Sequence, residues 1–151
     1  MKDELISFET ARLAKEKGFK ERVIHGYVVK SELSTIKEGS LQNCYHLEDY
    51  GDTTTIDWNN YIGRFVTNVS APTQSLLQRW LRDIHGLHLI IIPMVTMTYT
   101  FKLMSVWRKD FHPDDLVIET PPYKGVDAFD YDDYEKALEA GLQEALKLIK
   151  I

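Results

Sequence analysis

The sequence predicts a single α+β domain, a mostly antiparallel sheet with three helices packed mainly on one face. Three observations carry that expectation. Apolar residues recur at helical spacing in three separated segments, near the start, in the middle and at the end of the chain. The middle segment feeds directly into two apolar strand candidates, Leu87–Ile92 and Tyr99–Val106. A chain of 151 residues with a 44% hydrophobic share is long enough to bury one core without a disulfide or metal staple.

The first helix is expected over Ser7–Lys17. Ser7 suits the N-cap, Gly18 the left-handed position past the end, and Phe19 the apolar contact that closes such an end. Ile6, Ala11, Leu13 and Ala14 form its apolar side. The stretch Arg22–Thr67 predicts short strands at Val23–Val29, Leu41–Leu47 and Tyr61–Thr67. The segments Lys37–Ser40 and Glu48–Thr55 read as turns, within a loop-rich region at about residues 30–60.

The second helix carries the clearest pattern. Pro72 suits its first turn and Ser70 or Thr73 its cap. Leu76, Leu77, Trp80, Leu81 and Ile84 form one broad face, worth roughly 10 kcal/mol gross if buried, and Gly86 ends the helix. Leu87–Ile92 is apolar on both faces except at His88, which predicts a strand covered on both sides. Beyond Pro93, Met97, Tyr99, Phe101 and Leu103 alternate with Thr98, Thr100, Lys102 and Met104, a half-buried strand. Lys109–Val126 carries Pro113, Pro121 and Pro122 around one short strand, Leu116–Glu119. The last helix is expected from about Tyr131 to Ile149, capped by Asp130, with Tyr134, Leu138, Gly141, Leu142, Ala145, Leu146 and Ile149 as its buried stripe. Gly141, unfavourable inside a helix, predicts a close crossing with another element.

The net charge of −5 opposes general nucleic-acid binding, which needs clustered Lys and Arg. The single cysteine, Cys44, rules out an intrachain disulfide. The opening residues lack the apolar stretch of a signal peptide, and the apolar run Leu89–Ile92 is far too short for a bilayer span. Together these predict a cytoplasmic protein without membrane attachment.

Three blocks, SFETARLAKEKGF, APTQSLLQRWLRDIHG and YEKALEAGLQEALKLIK, occur here in that order. In this they resemble a family of small uncharacterised phage and prophage proteins of gut bacteria. The resemblance covers about a third of the chain and implies a small intracellular accessory product of a temperate phage. It carries no catalytic or binding residue, because the shared blocks build the core. Glu21–Val69 departs from the family pattern.

Motifs that would announce chemistry do not occur: no G-x-S-x-G, no phosphate-binding loop, no dinucleotide fingerprint and no C-x-x-C. His85 and His88, near Asp83, have metal-pair spacing, but Gly86 breaks the helix between them. His112 with Asp114 and Asp115 reads as a solvated turn. The acidic run Asp127–Glu135 lacks calcium-loop spacing and reads as a helix start. Cys44, Tyr45 and His46 are strand neighbours whose side chains alternate faces. No catalytic residue, metal ligand or cofactor is therefore assigned. The leading expectation is a non-enzymatic accessory protein acting through protein contacts, a homo-oligomer among the forms they can take, with surface aromatics in the loops (Tyr50, Trp58, Tyr61, Tyr123, Phe129). The runner-up is a nucleic-acid-associated module, using Arg79, Arg82, Lys102 and Arg108 with Tyr99, Phe101 and Trp107 as a stacking platform. An enzyme whose site is dispersed through the sequence is the third reading.

Overall fold

A computed structural model describes residues 3–43, 55–61, 65–105 and 130–150. The α+β class holds, and strand pairing is antiparallel throughout. The strands divide between a three-stranded sheet and a two-stranded one. The chain groups into two compact units, Leu5–Thr73 and Gln74–Ile151 with Met1–Glu4, and each is described by itself.

The Leu5–Thr73 unit begins with α1 (Phe8–Glu16). The Ser7 hydroxyl accepts from the Thr10 N–H at 3.2 Å, as expected of the cap. At the other end Gly18 takes φ 86°, and two bonds close the helix: Phe19 N–H to the Ala14 carbonyl and Gly18 N–H to the Lys15 carbonyl, both 3.0 Å. This is the Schellman arrangement, and it buries Phe19. Ile6, Ala11 and Ala14 are buried as expected, while Leu13 stays half-buried and Thr10 joins the buried side.

The sheet of this unit orders β2 (Leu41–Asn43), β1 (His25–Ser31) and β3 (Val66–Ser70). Register places Gly26 opposite Ser70, Tyr27 opposite Val69 and Val28 opposite Asn68, with an irregularity between Val28 and Lys30. The period of two therefore puts Tyr27 and Val69 on one face and Gly26, Val28, Asn68 and Ser70 on the other. α1 serves the first face: the Phe8 and Tyr27 rings meet edge-on at 5.7 Å, and the Tyr27 hydroxyl donates to the Ile6 carbonyl at 2.7 Å. Trp58 serves the second. Its ring lies over Gly26 so closely that a Cβ there would stand 2.5 Å from the indole, and its Nε1 donates to the Val23 carbonyl at 3.2 Å. Trp58 was expected as a surface aromatic; it is 0% exposed and is the largest fully buried side chain among the described residues. The reason is Gly26, whose missing side chain leaves the seat the indole fills.

Beside it, Asn59 ties three places together. Its Nδ2 donates to the Phe19 carbonyl at 2.6 Å and its Oδ1 accepts from the Ser70 N–H at 2.9 Å. The strand expected at Tyr61–Thr67 is displaced to Val66–Ser70, so Ser70 lies in a strand and does not cap the second helix. Of the strand expected at Leu41–Leu47, the part Leu41–Asn43 is seen. The Glu48–Thr55 turn, apart from Thr55, lies outside the described residues, as do Leu116–Glu119 and the three prolines near it.

In the second unit α2 (Gln74–His85) runs into β4 (Leu87–Pro93), a tight turn, β5 (Tyr99–Ser105) and then α3 (Tyr134–Leu148). Pro72 precedes α2 rather than entering its first turn; the Gln74 N–H is satisfied by the Glu4 carbonyl at 2.7 Å. Leu77, Trp80 and Leu81 are buried, Leu76 is half-buried, and Ile84 is 58% exposed, a correction at the rim of the face. The Gln74 amide reaches α3, donating to the Glu135 carbonyl and to Glu139, both at 3.1 Å.

α3 begins three residues later than expected. Tyr131 is held extended by two 2.8 Å bonds with the backbone of Tyr99, so Asp133, not Asp130, is the cap and accepts from the Lys136 N–H at 2.7 Å. That bond, together with the Lys136 ammonium, holds the Asp133 carboxyl below its usual range. Tyr134 was expected in the buried stripe and is exposed, its ring resting edge-on against Tyr99 at 6.1 Å. Ala137, Leu138, Gly141, Leu142, Ala145 and Leu146 are buried. The close crossing expected at Gly141 is present: a Cβ there would lie 2.5 Å from Leu89 Cδ1 and 3.1 Å from Phe101 Cγ.

Candidate functional site

The register of β4 and β5 sets which side chains share a face. Leu89 opposes Leu103 and Ile91 opposes Phe101, and this face looks towards α3. His88, Ile90 and Ile92 oppose Met104, Lys102 and Thr100 on the outer face. Ile90 and Ile92 are exposed there. β4 was expected to be covered on both sides; the structure overturns this, because Ile90 and Ile92 on the face away from α3 are exposed.

The turn joining the strands is compact. The Met94 N–H donates to the Thr98 carbonyl at 2.8 Å, and the Met97 N–H returns to the Met94 carbonyl at 3.1 Å. Met97 takes φ 61°, and it is the one non-glycine residue in the left-handed region among those described. Met97 was expected at the head of the buried stripe of β5; instead it sits in the turn, 89% exposed, beside Val95 at 103%. No glycine, asparagine or aspartate occupies Met94–Thr98, although hairpin turns favour those residues. That missing turn chemistry is the signal by which the sequence could have exposed this tip.

The outward edge of β4 is blunted. Alternation of the ladder directs the backbone groups of Leu89, Ile91 and Pro93 away from β5. The Leu89 carbonyl accepts from Gln78 Nε2 at 2.8 Å, and Pro93 has no N–H to offer. A partner strand would find the Leu89 carbonyl taken and no N–H at Pro93, whereas Ile90, Ile92 and the tip stay exposed.

The basic candidates do not gather at this surface. Arg79 and Arg82 lie on the exposed side of α2, and the Arg82 Nε pairs with its neighbour Asp83 at 2.9 Å. Lys102 is half-buried on the outer face of β5. Arg108 and Trp107 lie outside the described residues. Phe101, expected alternatively as a base-stacking platform or as core, is buried against the Gly141 turn of α3 and 6.2 Å from Tyr131. Burial also raises the Tyr131 hydroxyl pKa, with the Glu144 charge adding to it.

His85 and His88 part company. The His85 ring meets Trp80 edge-on at 4.5 Å at the end of α2, with Nε2 buried and without a partner, and burial lowers its pKa. His88 belongs to the outer face of β4. Among the described residues no group of three His, Cys, Asp or Glu side chains is placed to hold a metal ion. Cys44, His46, His112, Asp114, Asp115 and Asp127 lie outside them. Asn68 Oδ1 and Ser70 Oγ, on one face of β3, are buried without a partner; neither group titrates near neutrality. No helix among the described residues is long and apolar enough to cross a membrane. Comparison with protein-family models, with curated proteins and with solved structures found no match.

Proposed function

We propose that the chain is a non-enzymatic phage or prophage accessory protein of the cytoplasm that acts through protein–protein contacts. The observation that carries the reading is the concentration of exposed apolar side chains on one hairpin. Ile90, Ile92, Val95 and Met97 all belong to β4 and the turn behind it. Isolated exposed apolar residues are ordinary, but several on one protruding element mark a surface that another molecule covers. The accessory role in a phage rests on the three sequence blocks alone. Loop aromatics lend it less than their number suggests, since Trp58 is consumed inside the fold.

The test is a tagged-protein pull-down from bacterial cells under prophage induction, with mass by light scattering on the purified chain. A reproducible protein partner, or a mass above the 17.5 kDa of one chain, is the expected result. A monomer that retains no protein under those conditions overturns the reading.

A further inference from the structure

We draw no further inference here: the strongest candidate, the exposed apolar patch of the β4–β5 hairpin formed by Ile90, Ile92, Val95 and Met97, carries nothing beyond the protein-contact reading, because nothing in the structure shows what covers it.

Discussion

Two glycines, one in each unit, perform the same service against different neighbours. Gly26 on β1 receives the face of a buried indole, and Gly141 on α3 receives Leu89 and the edge of Phe101. In the first case the neighbour is rigid and pinned by its Nε1 bond to Val23, so it has nowhere to retreat. In the second, the nearest atom is the end of a leucine, which changes rotamer readily. Close approach therefore has different tolerance at the two sites, decided by what sits opposite and not by the glycine.

The largest way to break this comparison is to remove the indole. Trp58→Ala should cost about 3–5 kcal/mol, and chemical denaturation followed by circular dichroism measures it. Gly26→Ala comes next at about 3 kcal/mol, because overpacking against a fixed ring is relieved only by moving the backbone. Gly141→Ala gains about 1 kcal/mol of helix propensity and loses somewhat more to the Leu89 and Phe101 contacts, for a net cost of about 1 kcal/mol. Combining it with Leu89→Ala should recover part of that cost in a double-mutant cycle; strict additivity would refute the stated contact.

Smaller still, Met97→Gly should stabilise by about 0.5–1 kcal/mol, read as a rise in Tm. The smallest effect concerns His85. Its folded pKa lies below the unfolded value of 6.5, so the unfolded chain binds the proton more tightly. Stability is then complete above about pH 6.5 and declines as pH falls through the folded value. His85→Gln should flatten the dependence of Tm on pH between about 7 and 5, a window above the range where carboxylates titrate.

Features marked by local signals were the legible ones, in both units. The cap of the first helix, the unfavourable glycine at 141 and the strands beside Pro93 all announce themselves within a dozen residues of sequence. Trp58 did not, because its partner is Gly26, more than thirty residues away, and its short segment has no periodic pattern to reveal burial. The start of α3 shifted for a similar reason: Tyr131 answers to a distant backbone at Tyr99, which overrides the local promise of Asp130 as a cap. β4 misled through its composition. An unbroken apolar run suits a central strand, and the two-stranded sheet leaves Ile90 and Ile92 in view. Where helix pattern and packing agreed, as at Leu77 and Leu81, the expectation and the structure coincide. The tip at Val95 and Met97 was hidden by reading Met97 into the alternation of β5.

The bridge between Leu5 and Thr73, with the Ile6 N–H donating to the Pro72 carbonyl at 3.1 Å, joins the two ends of the first unit. The bond from Gln74 to Glu4 joins the corresponding strands of chain in the second. Polypeptide thus enters and leaves residues 5–73 through one doorway, in the manner of a cassette. Splicing Glu4 to Gln74, or exchanging the cassette for another whose ends meet as closely, would reroute neither backbone, which makes this junction the natural place to cut and graft.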